Sequence, residues 1–350
     1  MYDTEISYSQ LMTLLNSKVL NECTIEITNA CQFRCDHCYV EKSTVKVMKI
    51  EDFKVIIDQL LEINCNVILL TGGEPMLNPD FLDMYIYAKK MGMIVNINTT
   101  CFLLNKRILN TFIKYIPNSI EISLYGYDDK SYELFTHKKN SFEKVLRNIK
   151  LLKSSNINIS LKTVLTKKNY YYIEELKEFA RQYNIPFRYD YIVFPKLIDN
   201  KLEENPEMLN YKKIIDIIKK DTGDVKYFTN AVKNIKKCEY EDNNITKIFQ
   251  CTMGKEKIFI DCDLNVKPCL VVPVKYNLKE YSVKEAIELM NEGICRLEFQ
   301  RKSKCQDCYK RKLCRYCPGR FFLESGRYDT PPKFYCDMAD GLIKEFDNEV

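Results

Sequence analysis

The 350-residue sequence has no apolar run long enough to cross a bilayer, which excludes a membrane-spanning helix. An export signal is missing too. The opening MYDTEISYSQLMTLL carries acids instead of a basic n-region and has no small-residue cleavage site. The expected location is therefore the cytoplasm, with no membrane partner. There are 53 basic and 48 acidic residues, a formal net charge of +5, and as a tally along the chain they read as scattered, short of the basic stripe of a nucleic-acid binder. No nucleic-acid partner is expected. There is no internal repeat and no low-complexity tract, which sets solenoids aside. One more absence divides the chain, because no cysteine lies between Cys101 and Cys238.

What the sequence has in excess is cysteine. Six of its sixteen cysteines fall in the first 101 residues and ten between Cys238 and Cys336. A reducing compartment keeps thiols unpaired, so cysteines in such numbers point to metal binding or catalysis before disulfides.

The length and the 46% hydrophobic content allow about two domains. From about residue 23 to 194, short β-branched apolar runs alternate with segments of helical period, the pattern of β-α units around a parallel sheet. Strands are predicted near 23–28, 66–71, 93–98, 119–124, 157–164 and 187–193. Helices are predicted near 50–63, 79–91, 105–115, 141–154 and 169–183. Turn chemistry agrees, since Asn78-Pro79 opens a helix, Gly92 closes it and Asn184-Ile185-Pro186 stops another. Six such units make an α/β fold with a partial (β/α)6 TIM-like barrel. The expected organisation is an N-terminal extension over 1–21, the barrel over 22–194, a connecting segment over 195–250 with one helix near 207–220, and a cysteine-rich domain over 251–350. That last stretch has short elements and little room for a core, so metal centres are expected to hold it together.

Two motifs carry the chemistry. Thr24–Tyr39 reads TIEITNACQFRCDHCY, placing Cys31, Cys35 and Cys38 as C-x3-C-x2-C in the loop that leaves the first strand. Three thiolates on a four-iron cubane leave one iron without a protein ligand, and an open metal position is where substrate binds. A three-ligand zinc site is the alternative. One unit later, Val67–Leu70 runs into Thr71-Gly72-Gly73-Glu74-Pro75, where two glycines let the backbone approach a ligand and Glu74 offers an acceptor for an ammonium group.

The cysteine loop after a first barrel strand, with the GGEP element after the second, resembles the radical SAM family. The resemblance implies a [4Fe–4S] cluster whose open iron is chelated by S-adenosyl-L-methionine, and reductive cleavage to a 5′-deoxyadenosyl radical. It further implies cofactor contacts from His37 at the adenine, from Gly72, Gly73, Glu74 and Pro75 at the methionine amino group, and from Asn98, Ser123 and Lys162 at later strand ends. Cys65 and Cys101 read as buried thiols.

Residues 305–317 form C-x2-C-x5-C-x2-C, with Cys336 downstream and Cys251 and Cys269 upstream. This resembles the SPASM domain, the auxiliary-cluster extension of radical SAM enzymes that modify peptides. It implies two auxiliary [4Fe–4S] clusters, a distal one on Cys305, Cys308, Cys314 and Cys336 and a proximal one on Cys251, Cys269 and Cys317. For the proximal cluster's fourth position Cys238 is the first candidate and Cys262 the second, and an open iron is the third possibility. A pair of zinc-ribbon-like sites is the alternative for the whole region. Where the family has glycine, this chain has Leu264, which puts the turn geometry in question.

The expected function is hydrogen abstraction from a peptide or protein substrate, followed by oxidation or crosslinking, as in ribosomal peptide maturases. The alternatives are a small-molecule substrate and a sulfatase-maturing Ser/Cys oxidase. The latter group has a catalytic aspartate where this chain has Leu270. Asp190 and Tyr191 end the sixth strand, where either a substrate-facing or a buried role is open. Expected partners are the precursor peptide and a flavodoxin- or ferredoxin-like reductant. Because about twenty residues precede the first strand, with no winged-helix module among them, leader recognition is expected from a separate protein or from the barrel and SPASM surfaces.

Overall fold

A computed structural model describes residues 20–40, 44–198, 201–203, 205–238, 245–300 and 302–347; of the expected N-terminal extension, residues 1–19 lie outside the described residues. Six strands alternate with helices: β1 (Glu22–Glu26), α1 (Ile50–Glu62), β2 (Val67–Thr71), α2 (Phe81–Lys90), β3 (Ile94–Thr99), α3 (Lys106–Lys114), β4 (Ser119–Ser123), α4 (Asp129–Thr136), α5 (Phe142–Ser154), β5 (Ile159–Val164), α6 (Ile173–Gln182) and β6 (Phe187–Asp190). Neighbouring strands pair in parallel throughout this series, as β-α repetition requires. A small antiparallel pair follows, β7 (Lys196–Ile198) with β8 (Lys201–Glu203).

Period-two alternation sorts the strand residues by face. Cys23 and Ile25, Ile68 and Leu70, Val95 and Ile97, and Ile120 and Ile122 are fully buried in a core shared with Phe53, Ile56, Ile57 and Leu60 of α1. Burying each of the large aliphatic side chains contributes about 1.5–3 kcal/mol. The intervening positions, Thr24, Asn98, Ser123, Lys162 and Arg188, line a cavity on the inner face. A polar inner face opposite an apolar outer one is what a partial barrel enclosing a ligand site needs.

The C-terminal half is built into the barrel. β9 (Lys257–Ile260) pairs in parallel with β1, and β10 (Asn265–Lys267) and β11 (Tyr276–Asn277) extend the sheet antiparallel, giving nine strands in the order β11-β10-β9-β1-β2-β3-β4-β5-β6. Ile258, Ile260, Val266, Val283, Ala286 and Met290 join the barrel's own core, the last three from α9 (Val283–Glu292). So residues 251–295 are held by burial, against the expectation of little core. The stretch expected as a connector is likewise structural. Helices α7 (Tyr211–Ile218) and α8 (Thr222–Cys238) form a second core with α11 (Lys333–Phe346), through Ile214, Ile218, Phe228, Val232, Met338 and Leu342. A third, small cluster of Cys305, Phe321 and Tyr335 anchors α10 (Pro318–Ser325).

Candidate active site

The segment after β1 is tied to the end of β2 by backbone bonds, with Gly73 N–H donating to Thr28 O (2.9 Å) and Glu74 N–H to Ala30 O (2.7 Å). A Cβ on Gly72 would lie 2.3 Å from Thr28 O, and one on Gly73 would lie 2.4 Å from Ala30 O. The close approach these glycines permit is therefore to the chain's own cysteine loop. Asp36 in that loop is paired with Lys168 and, at 2.7 Å, with His137, while Arg34 N–H donates to Thr136 O at 3.0 Å. The loop is thus fixed from three sides.

Cys31, Cys35 and Cys38 line a cavity of about 530 Å³, together with Gly72, Gly73, Asn98, Ser123 and Lys162. His37 lines it too, its ring centroid 5.1 Å from Tyr125 and 4.9 Å from Phe135, two rings that stack at 4.4 Å. Ser123, Lys162 and Arg188 are register partners across β4, β5 and β6 and stand side by side. Beneath them Glu121 receives Lys162 (2.8 Å) and Arg188 (2.5 Å). Burial alone would raise the Glu121 carboxyl, but these two cations outweigh it and hold it below the usual range. Burial pushes the Lys162 ammonium below its ordinary value; the Glu121 carboxylate opposes that shift and the Arg188 cation adds to it.

Two of the expected cofactor contacts are placed otherwise. Glu74 is fully buried and does not line the cavity; its oxygens accept from Thr99 Oγ1 (2.7 Å), Thr100 N–H (2.8 Å) and Met76 N–H (3.2 Å). Burial raises its pKa despite those donors. The carboxyl therefore clamps the ends of β2 and β3. Pro75 opens the short 3-10 turn Pro75–Leu77 and is also buried.

The C-terminal half contributes Lys257, Pro268, Cys269, Leu270 and Arg320 to the cavity lining. Cys269 lies within electrostatic reach of Cys317 and Cys251, and burial together with those neighbours pushes its thiol up to about 11. Cys305, Cys308, Cys314 and Cys336 form a second group. Burial and the neighbouring sulfurs push Cys305 up to about 11 and Cys314 up to about 12. No disulfide joins the described cysteines. Cys262 sits elsewhere, beside Glu26 (3.7 Å), at the end of β9. Cys238 ends α8, and its side chain lies outside those described. Leu264 adopts φ +66°, the left-handed conformation that glycine takes without a Cβ penalty. Leu264 thus holds a left-handed turn position without a glycine.

Asp190 lines the cavity and pairs with Arg315 at 3.0 Å, whereas Tyr191 is buried in the second core with Arg315 stacked 4.3 Å over its ring. Sequence reasoning passed over Arg188 and Arg320. Arg188 shares the inward parity of the β6 strand end and was legible in principle. Arg320 was not, since it reaches the cavity only because α10 packs there.

Among the described residues no three His, Cys, Asp or Glu side chains form a single-ion site. The fit to a cluster rests on donor chemistry: three thiols that line one cavity are the ligands an iron–sulfur cube takes.

The sequence profile of the Radical SAM superfamily matches residues 25–183, the segment that builds β1–α6 and the thiol-lined wall. The chain belongs to the radical SAM superfamily. Members of this family use a [4Fe–4S] cluster and S-adenosylmethionine, and this radical SAM chain is an enzyme. It is 24% identical over 340 residues to the AdoMet-dependent heme synthase of Methanosarcina barkeri, covering 90% of this chain and 96% of that one. It is 24% identical over 336 residues to the antilisterial bacteriocin subtilosin biosynthesis protein AlbA of Bacillus subtilis, covering 90% and 70%. Its fold matches Streptococcus suis SuiB bound to precursor peptide SuiA with a TM-score of 0.69 at 17% identity, over 94% of this chain and 78% of SuiB. In this radical SAM chain, no helix among the described residues is long and apolar enough to cross a membrane.

Proposed function

We propose that this radical SAM enzyme abstracts hydrogen from a peptide or protein substrate and thereby oxidises or crosslinks it. The observation that carries the reading is a single cavity lined both by the three N-terminal thiols and by Cys269 of the C-terminal set. Cys31, Cys35 and Cys38 would hold the catalytic cluster, Cys251, Cys269 and Cys317 the proximal auxiliary one, and Cys305, Cys308, Cys314 and Cys336 the distal one. When bound, cluster and S-adenosylmethionine supply the 5′-deoxyadenosyl radical that takes the hydrogen atom.

The chain's own residues then position and exclude. Gly72 and Gly73 seat the cysteine loop, His37 offers an aromatic face for the adenine, and Asn98, Ser123 and Lys162 offer polar groups to the ribose and carboxylate. A substrate strand entering between barrel and C-terminal wall would lie between Arg188 and Arg320. Leu270 supplies no general base there, which argues against the sulfatase-maturing reaction. The similarity to AlbA supports a peptide substrate. Sixteen thiols and a need for a strong reductant support a cytoplasmic location.

A second reading, a small-molecule substrate, is favoured by the end-to-end similarity to the heme synthase. The two separate in one assay: anaerobic enzyme with dithionite, cofactor and a peptide encoded by any short open reading frame found beside this gene, the lack of such a frame favouring the small-molecule reading. A mass loss in that peptide, matched by 5′-deoxyadenosine, supports the peptide reading; 5′-deoxyadenosine with an unmodified peptide removes it.

A further inference from the structure

Charge that reads as scattered in a whole-chain tally is concentrated at one place. Residues 302–315 carry Lys302, Lys304, Lys310, Arg311, Lys312 and Arg315 against Asp307 alone, a net +5 equal to that of the entire chain. Outside this loop the protein is balanced. Three of the six cations are committed, Lys310 to Asp340, Arg315 to Asp190, and Arg311 to the carbonyls of Cys305 and Gln306. Lys302, Lys304 and Lys312 are exposed, and none has an ion pair among the described residues. Among the described acids of the adjoining helix α11, Asp340 is held by Lys310 and Asp337 lies 3.9 Å from Lys333, so within the loop Asp307 is the one acid set against these three lysines.

The same loop carries three of the four distal cysteines, and the fourth, Cys336, is exposed. Three positions beyond Cys314 the same loop reaches Cys317, which lies within electrostatic reach of Cys269 in the lining of the catalytic cavity.

We infer that the basic face around Lys302, Lys304 and Lys312 docks an acidic one-electron carrier protein, which delivers electrons at the exposed Cys336 end of the distal quartet. The inference rests on the auxiliary-cluster reading above. In the step it serves, one electron leaves the carrier's reduced flavin or iron centre and reduces the chain's cluster by one, with no bond made or broken. Exposed lysines of one sign steer an oppositely charged partner and raise its association rate, an effect that salt screens. A nucleic acid or an acidic peptide would meet the same charges. The carrier is favoured because these lysines lie on the loop that carries three of the four distal thiols, and the fourth, Cys336, is exposed.

The test compares the loaded wild-type enzyme with the triple variant Lys302→Glu, Lys304→Glu, Lys312→Glu. Binding of a reduced acidic flavodoxin is read by cross-linking and by titration, and cluster reduction by stopped-flow absorbance, at about 50 and 300 mM salt. The expected result is a fall of about tenfold or more in both binding and flavodoxin-driven reduction, with loss of the salt dependence, while iron content and reduction by dithionite are unchanged. Equal rates in the two proteins overturn the inference, as does a variant that loses binding of an oligonucleotide or of polyglutamate but keeps its flavodoxin kinetics. Should the charge-reversed protein fail to retain iron, the Gln triple variant gives the same reading with about half the charge change. If the wild type binds flavodoxin at this face but makes no 5′-deoxyadenosine with dithionite, the function proposed above fails and the docking surface stands.

Discussion

In β1 to β5 every second strand residue is buried against the outer helices, whereas between Ser303 and Cys317 only Cys305 and Leu313 are buried. The first region closes through apolar area. The second has four cysteines in thirteen positions, a left-handed Arg315 at φ +51°, and cations whose mutual repulsion opposes compaction. On the auxiliary-cluster reading proposed above, metal–thiolate bonds would supply the folding energy that apolar area does not. The two regions are coupled through β9–β11, which extend the barrel sheet and carry Cys269 to the cavity.

Five outcomes break or sharpen this contrast. The largest concerns activity. A methyl group on Gly73 would meet two backbone oxygens, at 2.4 and 2.5 Å, so Gly73→Ala is expected to lower dithionite-driven 5′-deoxyadenosine formation by about 100-fold or more through a displaced cysteine loop. Cys308→Ala is expected to retain that product while iron analysis shows the loss of about four irons per chain. A Gly73→Ala enzyme as active as the wild type would refute the loop's role.

Next in size is metal removal. In the metal-free chain, amide hydrogen exchange over 303–317 should approach that of an unstructured peptide while β1–β5 amides stay protected. Equal loss in both regions would show that the barrel depends on metal as well. Third, Leu161→Ala, at a fully buried barrel position, should cost about 2–5 kcal/mol in denaturant unfolding of the metal-free chain.

The barrel was largely legible because its signals are periodic. Strands β1–β5 and helices α1, α2, α3, α5 and α6 lie where alternation and turn residues put them. Helix α4 was missed in the β4–β5 connection, although Asp128 and Ser131 form a capping box there. The role of α7, α8 and α11 was not legible. Their apolar faces show that each packs on something, but only the fold shows that they pack on one another. Glu74 illustrates a further limit. Its motif was plain, but only the geometry shows that its carboxylate is saturated by Thr99, Thr100 and Met76. The sharing of one sheet by barrel and C-terminal strands had no sequence signal, because β9–β11 are two to four residues long.

The fourth outcome follows from Glu74. Glu74→Ala strands buried donors of Thr99 and Thr100 and should cost about 2–3 kcal/mol, and Glu74→Gln should cost less, as measured by denaturant midpoint. The smallest effect is in pH. The folded-state pKa of Glu121 is depressed, so its stabilising contribution is complete above the ordinary glutamate value of 4.5 and is lost as pH falls through the lower folded value. Between about pH 5 and 3 the unfolding free energy of the metal-free wild type should fall more steeply than that of Glu121→Gln, and parallel slopes would contradict the Lys162–Glu121–Arg188 network.

The account's central claim is that Cys31, Cys35 and Cys38 hold a cluster open to S-adenosylmethionine. The direct test is metal analysis of anaerobically reconstituted protein, combined with electron paramagnetic resonance of the dithionite-reduced sample before and after the cofactor is added. The account predicts roughly twelve irons per chain, a signal that changes on cofactor addition, and loss of that response with about four irons in the Cys31→Ala, Cys35→Ala, Cys38→Ala variant. Stoichiometric zinc without iron, or a cofactor response that survives the triple substitution, would contradict it.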